Sequence, residues 1–206
     1  MFYEKASHFG WWGKRTYVHG TQIIAEVIER ISEYGLEPNG QLSFAFKEPL
    51  RTQADILISD EELCINEPCA AVCKGVVGDK NLFVAVRPNG IPLSERLLDD
   101  EAELISKARF CEGGAEIFDY DLARWPSVLV ALGKKFLTMD YETQGADPWI
   151  LASLDFSWND KPINLLPILI RDTRVIANTM SRSAVFYNGK KIGTIGYKRM
   201  VLNDRD

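Results

Sequence analysis

The sequence predicts an α+β protein in which one order of elements (helix, strand, strand, hairpin) occurs twice. Three observations predict it. An amphipathic helical stretch at 21–34 gives way to period-two alternation, and an almost wholly apolar helical stretch at 121–137 gives way to the same alternation. Each half then closes on a turn dipeptide, Gly78-Asp79 in the first and Asn188-Gly189 in the second. The two turns, and the strands that open at 42 and 149, are offset by close to half of the 206 residues. Residue identities do not repeat, so it is the pattern that is duplicated. A single α+β sheet with three helices and no internal symmetry is the alternative architecture.

The elements follow in order. Over 21–34, Ile24, Val27, Ile28 and Ile31 share one helix face, and Gln22, Glu26, Glu29, Arg30 and Glu33 share the other. Gly35 is placed to end this helix, and Pro38 blocks its continuation. Leu42, Phe44 and Phe46 then alternate with Ser43, Ala45 and Lys47, as a half-buried strand requires. Strands follow at 54–59, 70–77 and 82–87. The stretch 88–93, with Pro88, Gly90 and Pro92, breaks the pattern. Ser94 can cap a helix over 95–109, with Leu97, Leu98, Leu104, Ile105 and Ala108 on one side, ended by Gly113-Gly114. The helix over 121–137 is apolar nearly all round, which predicts burial. Strands are expected at 149–158, 164–170 and 174–178, then a hairpin of 183–187 with 191–200. The expected organisation is an N-terminal unit at 1–93, a connecting helix at 94–112 and a C-terminal unit at 113–206.

Composition bounds the function. With 46% hydrophobic and 26% charged residues, the chain is that of a folded protein with a sizeable core. A net charge of −5 argues against nucleic acid and against anionic lipid as partners. No apolar run reaches the ~18 residues of a membrane helix, and the N-terminus lacks a basic region followed by an apolar one, so a cytoplasmic location is expected. Cys64, Cys69, Cys73 and Cys111 lack the paired spacing of a zinc site and are expected as buried, reduced thiols.

Three stretches carry a family resemblance. Ser7-His8-Phe9-Gly10, followed by Val18-His19-Gly20-Thr21 and the first helix, resembles the helix entrance of hot-dog enzymes. Dehydratases of that superfamily place His-Phe ahead of the helix, and R-specific hydratases place His-Gly at its start. The segments from Phe44 to Arg51 and from Ala54 to Ile58 are similar to the strands that follow the helix, and the two hairpins resemble the last strands of such domains. The resemblance implies two tandem hot-dog units, each a curved antiparallel sheet around a long helix. It implies an acyl-thioester dehydratase, hydratase or thioesterase of fatty-acid, polyketide or other secondary metabolism, with acyl-CoA or acyl carrier protein as substrate. It implies no metal or redox cofactor and leaves a homodimer open. Two departures stand out. Position 25, where the dehydratases carry their helix acid, is Ala, and the hydratases' upstream Asp and His are not recognisable.

Thioester chemistry needs donors aimed at the carbonyl and a group that moves a proton. Gly20 and Thr21 begin a helix, where backbone N–H groups lack intrahelical partners and sit at the positive dipole end. The same two residues could equally serve only to start the helix, with Thr21 capping it. His8 and His19 are the only histidines, and an imidazole is the natural general base near neutrality. Glu26 is the nearest carboxylate on the first helix, on a face that also reads as solvated. Were the site to lie between the halves, Asp119 or Asp121 could supply an acid, although both also read as cap residues. Arg124 could take a carbonyl or a phosphate. Trp11, Trp12 and Tyr17 are candidates for a pocket wall or a packed loop. Lys14-Arg15 could face a coenzyme phosphate, and Lys190-Lys191 with Lys198-Arg199 could dock an acidic carrier or protect a sheet edge. The rival reading is a non-catalytic acyl-binding or scaffold module, and a third is a decarboxylase or acyltransferase using Tyr17 as nucleophile.

Overall fold

The computed structural model describes residues 2–12, 16–61, 68–97, 100–141 and 148–199. In chain order the elements are β1 (Phe2–Ser7), β2 (Trp11–Trp12), α1 (Gly20–Glu33), β3 (Gln41–Phe46), β4 (Thr52–Ser59), β5 (Ala71–Val77) and β6 (Lys80–Pro92). Then come β7 (Arg96–Leu97), α2 (Glu101–Leu104), β8 (Arg109–Cys111), β9 (Gly114–Ile117) and α3 (Trp125–Tyr141). The last are β10 (Trp149–Ser157), β11 (Ile168–Ile176), β12 (Met180–Tyr187) and β13 (Lys190–Arg199). The chain forms two compact units, residues 1–100 with 155–159, and residues 101–154 with 160–206.

In the first unit the strand order is β1-β4-β6-β5-β3, and these pairings are antiparallel. Alternation works as the sequence predicts: Leu42 and Phe44 are buried on β3 while Gln41 and Ala45 are exposed. Phe44 stacks on Phe156, with ring centroids 6.3 Å apart. Helix α1 buries Ile23, Ile24, Val27 and Ile31. Fully burying one such side chain contributes about 1.5–3 kcal/mol, so this stripe is the main reason the helix stays docked. Its C-terminal end is fixed on β1, where Tyr34 stacks on Tyr3 at 4.0 Å and Lys5 Nζ meets Glu33 at 3.1 Å. Gly35 ends the helix at φ 64° and donates its N–H to the Ser32 carbonyl. The turn at Gly78-Asp79 joins β5 and β6 as the sequence predicts, with Gly78 at φ 62°.

In the second unit the order is β8-β9-β11-β12-β13-β10. Helix α3 buries Trp125, Val128, Leu129, Val130, Leu132, Phe136 and Leu137, and the uniformly apolar pattern is realised as burial. A 3-10 turn at Leu122–Arg124 precedes it, and the Asp121 side chain accepts from the Ala123 N–H. Gly133 lets α3 lie close to the sheet. A Cβ there would stand 2.5 Å from Tyr197 Oη and 3.1 Å from Ile170 Cδ1. The buried Tyr197 hydroxyl donates to the Val130 carbonyl at 2.8 Å, a bond from β13 to the helix. At the β12–β13 turn, Asn188 and Gly189 take φ 48° and 75°, as the dipeptide predicts.

The structure corrects several expectations. The helix over 95–109, and with it the connecting helix at 94–112, does not form. Arg96–Leu97 pairs in parallel with Trp11–Trp12, Trp11 N–H donates to the Glu95 carbonyl at 2.9 Å, and α2 is only four residues long. Local helical spacing is overridden here by a strand partner distant in sequence. Ser94 therefore caps nothing, and Leu98 lies outside the described residues. The break at 88–93 is instead a continuation of β6 as far as Pro92, with a register shift opposite Thr52 and Ala54 and Gly90 at φ 79°. The strands expected at 164–170 and 174–178 are one strand, β11, bulged between Arg171 and Arg174. Cys69 and Cys73 are free and buried as expected, and burial pushes the Cys73 thiol up, but Cys111 is exposed. Cys64 and Met200 lie outside the described residues.

Candidate functional site

The mouth of α1 is built by three anchors. Ser7 pairs in register with Ala54, which sets β1 beside β4. Past β1, the buried amide of Gln53 imitates a strand neighbour: its Oε1 accepts from Phe9 N–H at 2.5 Å and its Nε2 donates to the Phe9 carbonyl at 3.0 Å. Finally, Val18 N–H donates to the Leu50 carbonyl at 2.7 Å. The chain thus enters the helix extended, with His19 at φ −70° and ψ 139°, and coils from Gly20 onward.

At this mouth His19, Gly20 and Thr21 come together. His19 is buried, and its Nδ1 lies 2.8 Å from Thr21 Oγ1. Thr21 sits inside the helix and engages the imidazole, so it does not cap the helix as one sequence reading had it. The Gln22 and Ile23 N–H groups donate to the His19 carbonyl. Among the described residues, the N–H groups of Gly20 and Thr21 have no acceptor. Two adjacent unpaired donors at the positive end of a 14-residue helix are an arrangement able to hydrogen-bond an oxygen that gains negative charge.

His8 is exposed. Glu26 is half-buried and ion-paired with Arg30, which also binds Glu33. Arg30 and then Lys5 hold the Glu33 carboxyl below its usual range. These pairs form a salt-bridge row on the polar face of α1. Asp121 is exposed and caps the turn before α3, Asp119 is paired with Lys107, and Arg124 is half-buried at the end of that turn. The Trp11 ring lies under the Arg96 guanidinium at 5.4 Å, and Tyr17 is half-buried. The Trp12 side chain, Lys14 and Arg15 lie outside the described residues. Of the basic cluster on the last hairpin, Lys190 is paired with Asp160 at 2.6 Å and Arg199 stacks over Trp149 at 4.5 Å.

Sequence reasoning passed over Gln22. Its amide nitrogen and oxygen are both buried and have no hydrogen-bond partner. On a helical wheel it falls on the polar face, which is why its position next to Thr21 drew no notice. Among the described residues no group of three or more His, Cys, Asp or Glu side chains could hold a metal, and no helix is long and apolar enough to cross a membrane.

No family model and no curated protein matches the sequence. Solved structures do match. A protein assigned as a thioesterase II from Thermobifida fusca superposes with a TM-score of 0.54 at 12% identity, covering 97% of this chain and 92% of that one. The pyran synthase domain from module nine of the sorangicin pathway gives 0.52 at 11% identity, covering 97% and 92%. A monomeric dehydratase domain from a trans AT polyketide synthase split module gives 0.51 at 12% identity, covering 96% of each. At these identities the likeness is one of fold. The chain has the hot-dog fold, an antiparallel sheet with a long helix, and it carries two such units in tandem.

Proposed function

We propose that this chain processes acyl thioesters carried on coenzyme A or on a carrier protein, by hydrolysis or by dehydration and hydration, in fatty-acid, polyketide or other secondary metabolism. The observation that carries the proposal is the α1 mouth, where two unpaired N–H groups stand beside a buried histidine. The kinds of protein that share the fold, a thioesterase and polyketide-synthase domains, support the same substrate class. The thioester oxygen lies against the Gly20 and Thr21 N–H groups, which stabilise the charge it gains as the carbonyl is attacked or the α-carbon is deprotonated. Gly20 has no Cβ to hold the carbonyl away. His19 moves the proton. Its Nδ1 lies 2.8 Å from Thr21 Oγ1, a contact that orients the ring.

The test is a panel of acyl-CoAs with the purified protein, following release of free thiol for hydrolysis and enoyl absorbance for dehydration. His19→Ala is expected to lower kcat by about a hundredfold or more in a variant that still folds, and His8→Ala and Glu26→Ala to leave it intact. Turnover that survives His19→Ala rejects the assignment. A second reading, an acyl-binding module without turnover, draws support from Glu26 being occupied by Arg30 and Asp121 by a cap. Tight acyl-CoA binding with neither product formed would favour it.

A further inference from the structure

We infer that the outward face of β11, β12 and β13 is a docking surface for an acidic protein segment that carries apolar side chains. Alternation sorts the residues of these strands. Ser181, Ser183, Ile195 and Tyr197 turn inward, where the Tyr197 hydroxyl reaches α3. Met180, Arg182 and Lys198 therefore turn outward. The register sets Ile176 beside Met180, Arg174 beside Arg182 and Arg171 beside Ala184 on that same side. Arg171, Arg174 and Arg182 are exposed. Ile176 and Met180, directly opposite one another, are 61% and 52% exposed. From Lys161 to Arg199 the sequence holds eight Lys or Arg and a single acid, Asp172, in a chain whose net charge is −5. Asp172 sits in the β11 bulge at φ 53°, and Glu116 of the neighbouring β9 stands opposite Leu169.

Folding alone does not account for this face. Arg174 and Arg182 are like charges directly opposite, which destabilises an antiparallel pair. Among the described residues, Arg171 and Arg174 enter no ion pair. Cations can protect a sheet edge, but β11, β12 and β13 each have a strand on both sides. The apolar pair is held in place: Thr179 N–H donates to the Ile176 carbonyl at 3.0 Å, and Arg199 N–H to the Thr179 carbonyl at 2.8 Å. A lone exposed apolar side chain is ordinary, whereas adjacent ones rimmed by charge mark a contact surface, and interfaces favour Arg and Met. Carboxylates on a partner would relieve the arginine repulsion, and its apolar side chains would cover Ile176 and Met180. A phosphate polymer could do the first and not the second, and the net acidity of the chain works against it. Neither the face nor its partner depends on the acyl-thioester reading.

The probe is a synthetic amphipathic helical peptide with glutamate on one face and leucine on the other; its control carries lysine in place of glutamate. Binding to the full chain is read by fluorescence anisotropy. We expect the wild-type protein to bind the glutamate peptide and not the lysine control. Arg171→Glu with Arg174→Glu, and separately Ile176→Ser with Met180→Ser, should each weaken that binding by about tenfold or more. These side chains are exposed, and Arg174→Glu sets a carboxylate opposite Arg182, so both variants should keep the wild-type melting temperature. Should either double variant unfold, Arg174→Gln and Ile176→Ser alone carry the same expectation. No binding of the glutamate peptide overturns the inference. So does a loss on charge reversal with none on the serine substitutions, which would mark a diffuse field. A single-stranded RNA or a phosphatidylserine vesicle held as tightly through the same residues would also overturn it. The last contrary result is a dimer in sedimentation that Ile176→Ser dissolves, since the face would then belong to a second copy of the chain.

Discussion

The two units share the order strand, helix, strand, strand, hairpin, yet they place the hairpin differently. In the first, β6 lies beside β4 and β5 beside β3. In the second, β12 lies beside β11 and β13 beside β10. The cause is the connection. A tight turn at Ala177-Asn178, both at positive φ, joins β11 directly to β12 and allows only the neighbouring position. The stretch between β4 and β5 is far longer, and its reach lets β5 skip β4 and leave that edge to β6. Identical element lists thus become different sheets through one loop length.

The helices differ as well. In the second unit α3 is seated close through Gly133, with a tyrosine hydroxyl reaching its backbone; α1 has no glycine after Gly20. The largest expected effect tests that seat. Gly133→Ala should destabilise by about 2–3 kcal/mol, read as a lower denaturant midpoint, because the added methyl meets a buried, bonded tyrosine. No loss would mean that α3 can back away and that close approach does not distinguish the units. Next comes the first unit's own device. Gln53→Leu should cost about 2 kcal/mol by stranding the Phe9 N–H and carbonyl, read as a lower denaturant midpoint. The smallest effect sharpens the contrast through pH. Burial, with Tyr187 nearby, pushes Tyr120 up to about 12, and burial also raises Tyr197, both in the second unit. Their folded values exceed the ordinary tyrosine value of about 10. The stability they confer is therefore fully present below that pH and lost as pH rises toward 12. Chemical denaturation at pH 9 and pH 11 should show this loss, and Tyr120→Phe should reduce its slope.

Much of the fold was legible because the signals are local. The stripe from Ile24 to Ile31 makes α1 under any tertiary arrangement, and Asn188-Gly189 can accept positive φ at little cost. The parts that misled depend on distant partners. Leu97, Leu104 and Ile105 have helical spacing, but Arg96 and Leu97 are claimed by the tryptophan pair, more than eighty residues away in sequence. Ala177-Asn178 carries no glycine to announce a turn, so β11 and β12 read as shorter pieces. In the candidate site, the placing of His19, Gly20 and Thr21 at the helix start was legible. Gln22 was not, since a helical wheel ranks residues by polarity and is blind to whether a polar group has found a partner.

The first unit also takes in residues 155–159, from a strand that follows α3. Synthesis begins at the N-terminus, and domains usually fold in the order in which they emerge. Here the earlier half stays unfinished until residues 155–159 have left the ribosome. By then the second half still lacks β11, β12 and β13. A nascent chain arrested at residue 150 would hold α1 beside an open sheet edge, so truncation there should yield an aggregating product instead of a smaller working one.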